Sequence, residues 1–357
     1  MDHGTQDYRV SREWASRPDD ERFLSLQELH DHVSRRADGC AVTVVNNSTG
    51  LQAFGTEENE MVLNTRLGPT FFTNWSFGQV SGIAQAPASY LRRLPSELAA
   101  ACLNDGFRKA DRDSMLMVNG GDQLRCATSP SYGRIWDKQV TQAVMRATEG
   151  GNWTIPAASY GATNPKRATT LYASDRDVFI FLVDVARPIE IDGEQLFRGF
   201  YTWNSEVGSQ VFGLATFLYR RVCDNRIIWG ISHRDEIRIK HSSGAPERFE
   251  REGRYALQAY SSASTKPIVE QIERAKAIKV GKDEDEVKEF LKKRGFTMAT
   301  ADSVIKAAKA EENEYNTPWS LAQGITAHAR GIAHTDTRVL LEREAGKLLN
   351  ATVGAQN

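Results

Sequence analysis

The chain has 357 residues, 40% of them hydrophobic and 25% charged, an ordinary globular composition that excludes a disordered or low-complexity chain. Its formal net charge is -1, so no global charge excess advertises nucleic acid or an anionic membrane. Any such partner must be met by a local patch, on a chain long enough for one large core plus a smaller helical part, or for two domains.

The four cysteines, Cys40, Cys102, Cys126 and Cys223, are widely separated, and no CxxC pair exists. That spacing argues against a structural zinc site and against a disulfide scaffold, and fits thiols kept reduced in a cytosol. The N-terminus carries early charge and no apolar core, so it does not read as a signal peptide. The longest strongly apolar stretch, Val178–Val185, is far short of the ~20 residues of a membrane span. The expectation is a cytoplasmic protein with no membrane association, and no metal or other cofactor.

In chain order, residues 1 to about 20 are polar. Ser25-Leu26-Gln27-Glu28 is a capping box opening a helix to about Arg36. Ala41–Val45 and Leu51–Phe54 flank Asn46–Gly50 and predict a small hairpin. Thr73–Ala84 has helical spacing and stops at Pro87; Ala88–Leu91 and Ser96–Asn104 follow as short helices. Ser114–Val118 and Gln123–Thr128 flank a turn at Asn119–Asp122, and Asp137–Glu149 reads as a helix. Thr170–Ser174 and Val178–Asp184 form the next hairpin, and Glu194–Trp203 a further strand. Apolar residues at 207, 211, 212, 214, 215 and 218 predict a long buried helix over Ser205–Val222. Ile227–Ile231 and Glu236–His241 complete the β region. From Arg248 the pattern is helical and highly charged, with helices at Lys266–Ile278, Asp283–Lys293, Thr300–Glu312, Leu321–His328 and Arg338–Leu349. The fold class expected is α+β, an antiparallel sheet with a long packed helix in a β-β-β-α core and a mostly helical C-terminal part. The divisions expected are 1-72, 73-247 and 248-357.

No phosphate loop, HExxH, GxSxG or strand-borne GxGxxG is present. His30 and His32 stand two apart on a predicted helix and so face different ways. Asp175 and Asp177 suit a tight turn, and the acidic run at 283–286 suits a helix start. Glu206, in Trp203-Asn204-Ser205-Glu206-Val207-Gly208, stands at an expected strand-to-helix joint, where Asn204 or Ser205 caps the helix or the corner faces a ligand. A hydrolase or nuclease would need Glu206 and Asp137 as convergent carboxylates, and the sequence places no such pair. Basic residues cluster: Arg220, Arg221, Arg226, Arg234, Arg238 and Lys240, with Arg125, Arg134, Lys138, Lys166 and Arg167 from neighbouring segments. Tyr132, Trp136, Tyr160, Tyr172, Trp203, Tyr219 and Trp229 interleave. Cations for phosphates with rings for bases are what a single strand needs; a solvated face over an aromatic core has the same composition.

Leu124–Val140, LRCATSPSYGRIWDKQV, with Arg125, Tyr132, Arg134 and Asp137, resembles the strand-turn-helix signature of the phage/plasmid-like proteins of domain-of-unknown-function family 932. Phe200–Gly230, with Asn204 to Gly208 and Arg221 to Asn225, resembles that family's most specific segment, and Phe77–Leu98 and Trp319–Leu349 are similar to it too. Asn225-Arg226 replaces the family's frequent Asn-Gly. The resemblance implies a mobile-element role and carries no agreed activity. The order strand, strand, strand, long helix also resembles the core of Rad52-like single-strand annealing proteins, a fold-level analogy.

The expected function is that of a phage or plasmid DNA-metabolism protein, not an enzyme, that binds single-stranded DNA in recombination by strand annealing. Its expected nucleic-acid-binding residues are Arg125, Tyr132, Arg134, Lys166, Arg167, Trp203, Arg220, Arg221 and Arg226. Its expected partners are single-stranded DNA and further copies of itself, in a ring or filament. The alternative is an interaction protein that sequesters a host defence or replication protein without nucleic acid.

Overall fold

A computed structural model describes residues 18–155, 169–191, 193–220, 225–227, 236–330, 341 and 344–351. After a two-residue strand β1 (Arg22–Phe23), helix α1 (Leu26–Asp38) starts where Ser25 Oγ accepts the Glu28 N–H at 3.1 Å and Glu28 returns to the Leu24 N–H at 3.0 Å. The reciprocal cap satisfies donors that the first turn leaves open. Leu29, Val33 and Ala37, four apart, form its buried face.

A six-stranded sheet follows, from β2 (Cys40–Asn46), β3 (Gln52–Gly55), β4 (Met61–Thr65), β5 (Gly68–Phe72), β6 (Asp113–Asn119) and β7 (Gln123–Thr128), in the order β2-β6-β7-β5-β4-β3. Gly120 and Gly121, at φ 63° and 87°, turn β6 into β7, a left-handed conformation that side chains resist. Between β2 and β7 the chain also forms α2 (Asn47–Gly50), α3 (Asn74–Ile83), α4 (Ala88–Leu91) and α5 (Ser96–Arg108). Thr73 caps α3 with a reciprocal bond from Ser76. Phe77, Val80, Leu103 and Phe107 of α3 and α5 pack on Leu63, Leu116, Val118 and Leu124 of the sheet.

Helix α6 (Asp137–Thr148) leads into a nine-stranded antiparallel sheet. Its strands are β1, β8 (Trp153–Thr154), β9 (Leu171–Ala173), β10 (Val178–Asp184), β11 (Ile189–Ile191), β12 (Glu194–Asn204), β13 (Phe212–Arg220), β14 (Asn225–Ile227) and β15 (Glu236–Ile239). Alternation divides β10 between two cores. Val178, Ile180 and Leu182 pack towards α1 and α6, while Phe179, Phe181 and Val183 join an aromatic layer on the other face. After β15, α7 (Ala245–Arg248), a π-turn at Phe249–Gly253 and α8 (Arg254–Ser262) return to the first of these cores through Ala245, Phe249 and Leu257. Helices α9 (Lys266–Ala277), α10 (Glu284–Lys292), α11 (Met298–Glu312) and α12 (Pro318–Arg330), with helical residues at 344–351, build a further core with Ile189, Ile191, Leu196 and Leu218.

The class is α+β with antiparallel sheets and a helical C-terminal part, as expected, but the long helix at Ser205–Val222 is not there. Phe212–Arg220 is β13, paired with β12 from Leu196↔Arg220 to Trp203↔Gly213. Its two faces are both apolar, Phe212 and Leu214 in one core and Ala215 and Phe217 in the other, so the alternation that marks a strand is hidden. Without that helix the order on which the Rad52-like likeness rested is lost. The expected hairpin of residues 41–54 is also replaced: β2 pairs with β6, and β3 with β4. The division expected at residue 72 runs through the six-stranded sheet, and the one at 248 falls within the α7 segment.

Candidate functional site

The turn between β12 and β13 docks on the six-stranded sheet. Val207 packs with Met117 and Cys126, and its carbonyl accepts from Trp75 Nε1 at 3.0 Å and Gln79 Nε2 at 2.7 Å. Gly208, at φ 85°, lets the chain reverse there, and Ser205 Oγ takes the N–H groups of Val207 and Ser209. The joint expected to be strand-to-helix is strand-to-strand.

This turn carries Glu206 into the interior, fully buried. Arg125 Nη1 of β7 donates to Glu206 Oε2 at 2.8 Å, and the Asp137 N–H, at the start of α6, donates to Oε1 at 2.9 Å. Arg134 donates to the Glu206 carbonyl. Asp137 is 1% exposed and accepts from Arg36 Nη2 at 2.9 Å and Asn204 Nδ2 at 2.7 Å. Arg36 Nη2 also stands 3.9 Å from Glu206 Oε2. The carboxylate pair that the sequence could not place is therefore real. Burial works against the Arg125 charge, but Glu206 overcomes it and holds the guanidinium above its ordinary value. Burial first, then the Glu206 charge, push the Asp137 carboxyl well up, with Arg36 opposing. Two arginines, the Asn204 amide and the Asp137 N–H fill the carboxylate oxygens, so the constellation acts as an ionic clasp between α1, β7, α6 and the β12–β13 turn.

Beside the clasp, the His241 ring stacks on Tyr132 at 4.8 Å, and its Nδ1 lies 3.0 Å from the Gly133 carbonyl, which accepts its N–H. Burial pushes this imidazole from 6.5 down to about 4. A depressed histidine stabilises the fold fully above its unfolded value, and that contribution is lost as pH falls towards the folded value, here on the order of 3 kcal/mol between 6.5 and about 4. The raised Asp137 carboxyl has the opposite sign, its contribution falling as pH rises through its folded value. His241→Asn keeps a donor for Gly133 and removes the titration. Urea denaturation across this window should give a flatter stability curve for the variant, and identical slopes for both proteins would refute the assignment.

The face of the nine-stranded sheet turned away from α1 and α6 is a second feature, an aromatic layer that is largely buried. One cross-strand row runs Arg22, Tyr172, Phe179, Trp203, Gly213, Arg238. Arg22 lies over the Tyr172 ring at 5.8 Å and Arg238 over the Trp203 ring at 5.9 Å. Half-buried Tyr201 stacks on Trp203 at 5.4 Å and on Phe179 at 5.9 Å.

The family model described as Domain of unknown function (DUF932) matches residues 157–342. The chain belongs to the DUF932 family. No curated protein matches it, and no solved structure does. In this DUF932 chain the matched span holds Glu206, Arg198 and the aromatic row from Tyr172 to Arg238, while Arg36, Arg125 and Asp137 precede it.

The nine residues expected to meet nucleic acid fall into separate places. Arg125 is 2% exposed and Arg134 9%, and both face Glu206 rather than solvent. Tyr132 donates to the Ser205 carbonyl at 2.7 Å beside them. These three belong to the clasp, a correction that follows from the burial of their partner carboxylate. Trp203, 3% exposed, sits in the aromatic row. Arg220 and Arg226 stand on β13 and β14, where Arg226 pairs with Tyr219. Lys166, Arg167 and Arg221 lie outside the described residues. Sequence reasoning missed Arg36, Asp184 and Arg198. The signals were an arginine on the apolar face of Leu196-Phe197-Arg198-Gly199-Phe200 and a carboxylate closing the apolar run 178–183. Among the described residues no group of three or more His, Cys, Asp or Glu is arranged to hold a metal ion, and no helix is long and apolar enough to cross a membrane.

Proposed function

We propose that the protein binds single-stranded DNA along the aromatic layer of the nine-stranded sheet, at half-buried Tyr201 and its flanking arginines, and, in a phage or plasmid setting, displays the strand for annealing. The observation that carries this reading is the cross-strand aromatic row with an arginine over a ring at each end. Five strand spacings of about 4.8 Å separate its ends, about 24 Å in all, a span of several nucleotides. Guanidiniums at the flanks suit phosphates, Arg22 by exchanging its 3.9 Å pairing with exposed Asp19 for one, and Tyr201, less buried than its neighbours, suits a stacked base. Trp203, 3% exposed, stacks beside Tyr201 on the same strand instead of meeting the base itself.

The test is fluorescence anisotropy of a labelled oligonucleotide over a salt series, with thermal melts as control. Tyr201→Ala should weaken binding by about 1–3 kcal/mol, the worth of one base stacked on a ring. Arg22→Ala with Arg238→Ala should flatten the slope of log K against log salt by about 1.4, since each phosphate contact on a single strand contributes about 0.7. Unchanged affinity and slope in folded variants would remove this face. Absence of wild-type binding at low salt would overturn the DNA reading and favour a protein partner.

A further inference from the structure

The six-stranded sheet has two edges, β2 and β3, and they are treated differently. At β3, the Asn104 side chain closes the ladder: its Oδ1 accepts the Ala53 N–H at 2.8 Å and its Nδ2 donates to the Ala53 carbonyl at 2.7 Å. Strand β2 is longer, seven residues, and has no such cover among the described residues. Its segment Cys40-Ala41-Val42-Thr43-Val44-Val45 holds no charge and no proline, the usual protections of an exposed edge. Val42 and Val44 are 44% and 47% exposed.

The direction of the open backbone groups follows from the register with β6. The Asn47 N–H donates to the Arg112 carbonyl at 3.0 Å, and the Gly120 N–H to the Gly39 carbonyl at 3.2 Å. These contacts continue the ladder in which Cys40 faces Asn119 and Asn46 faces Asp113. Odd-numbered residues therefore spend their hydrogen bonds on β6. The N–H and C=O groups of Cys40, Val42, Val44 and Asn46 point away from it.

We propose that two copies of the chain join through β2, antiparallel about a two-fold axis at Thr43. This centre pairs outward groups with outward groups, Val42 with Val44 and Cys40 with Asn46, and as the midpoint of the strand it keeps all seven residues paired. It sets valine against valine on one face and makes the sheet continuous across the axis. The two-fold carries exposed Arg35 and Asp38, which precede the strand in one copy, towards Asp111, Arg112 and Asp113 at its far end in the other, so each end offers both signs of charge to its partner. An isologous pairing of this kind closes at two copies. The inference is independent of the DNA reading.

The experiment is light scattering of the full chain beside two variants. Val42→Pro removes an outward N–H without touching the bonds to β6, and Val44→Lys places a charge at the axis. The wild type should run at twice the chain mass and both variants at the chain mass, with circular dichroism unchanged. Thr43→Cys gives a positive readout if a variant misfolds. The two Thr43 positions form a non-hydrogen-bonded pair with Cα atoms about 4.5 Å apart, within disulfide range. Oxidised T43C protein should yield a peptide linked to itself at position 43. A monomeric wild type, or a dimer that survives both substitutions and yields no such link, would overturn the proposal.

Discussion

Glu206→Ala should destabilise the protein by about 3–5 kcal/mol, the cost of leaving a buried charge without its partner. The carboxylate is wholly buried and holds Arg125, itself 2% exposed, at 2.8 Å. Removing it strands that guanidinium, frees the Asp137 N–H and leaves Arg36 with Asp137 and the Ser174 carbonyl. Glu206→Gln should cost less, because the amide still accepts from Asp137 while giving up the charge. Combining Glu206→Gln with Arg125→Met should recover part of the loss, since a matched apolar replacement is tolerated better than a broken pair. Urea denaturation of the wild type, Glu206→Gln, Arg125→Met and the double variant measures the coupling. A loss below about 1 kcal/mol for Glu206→Ala, the range of exposed pairs, would show that the clasp is open to solvent.

Arg198→Met should cost a similar amount, about 3–5 kcal/mol, but with a local signature. Arg198 is fully buried on β12. It reaches Asp184 Oδ2 at 3.1 Å and the carbonyls of Tyr260, Ser261 and Ala263 at 3.0, 2.7 and 2.7 Å. Those carbonyls stand at and just past the C-terminus of α8, where helical donors run out; the Tyr260 carbonyl also takes the Ala263 N–H at 3.2 Å and Arg187 also donates to Ser261, and the Arg198 guanidinium joins all three carbonyls to the sheet. Its cation also lies 5.6 Å from the Trp153 and Tyr260 rings. Hydrogen exchange should rise over residues 258–263 in the variant while α1 and α6 keep their protection. Arg198→Lys should rescue little, since a single ammonium cannot span four acceptors in a plane. Uniform loss of protection throughout the chain would argue against a local fastening role.

How legible was this in the sequence? Helices with caps and one apolar face were: α1 begins at Ser25 and α10 at Asp283, each with the expected side chain on an N–H. Strands with glycine turns were as well, as at β6–β7. Misreadings came where both faces of a strand are buried, as in β13, whose phenylalanines and leucines fit helical spacing equally well. They came also where neighbours in sequence are not partners in space, as with β2, which pairs with a strand more than 60 residues on. The candidate site was half visible. Glu206, Asn204, Asp137, Arg125, Tyr132 and Arg134 were singled out by pattern, but the cations and Tyr132 as a nucleic-acid face, Glu206 and Asn204 as a helix cap or ligand-facing corner, and Asp137 as a carboxylate without a partner. Composition cannot tell a cation on a solvated face from one facing a buried carboxylate. That difference is decided by the docking of the β12–β13 turn.

The clasp has a bearing on how the chain acquires its shape as it is made. Arg125, Arg134 and the Asp137 amide find their acceptor 81, 72 and 69 positions later. During synthesis the first sheet is complete while Glu206 has still to emerge, so its guanidiniums stay in water and the surface that receives the turn stays unsealed. Closure of such distant contacts is slow, and a hydrophobic sheet waiting for its lid is exposed to aggregation in the interval. A fragment ending near residue 150 would hold that unfinished condition permanently, with cations and no counter-carboxylate. Expression of halves of this protein should therefore fail where co-expression of both succeeds.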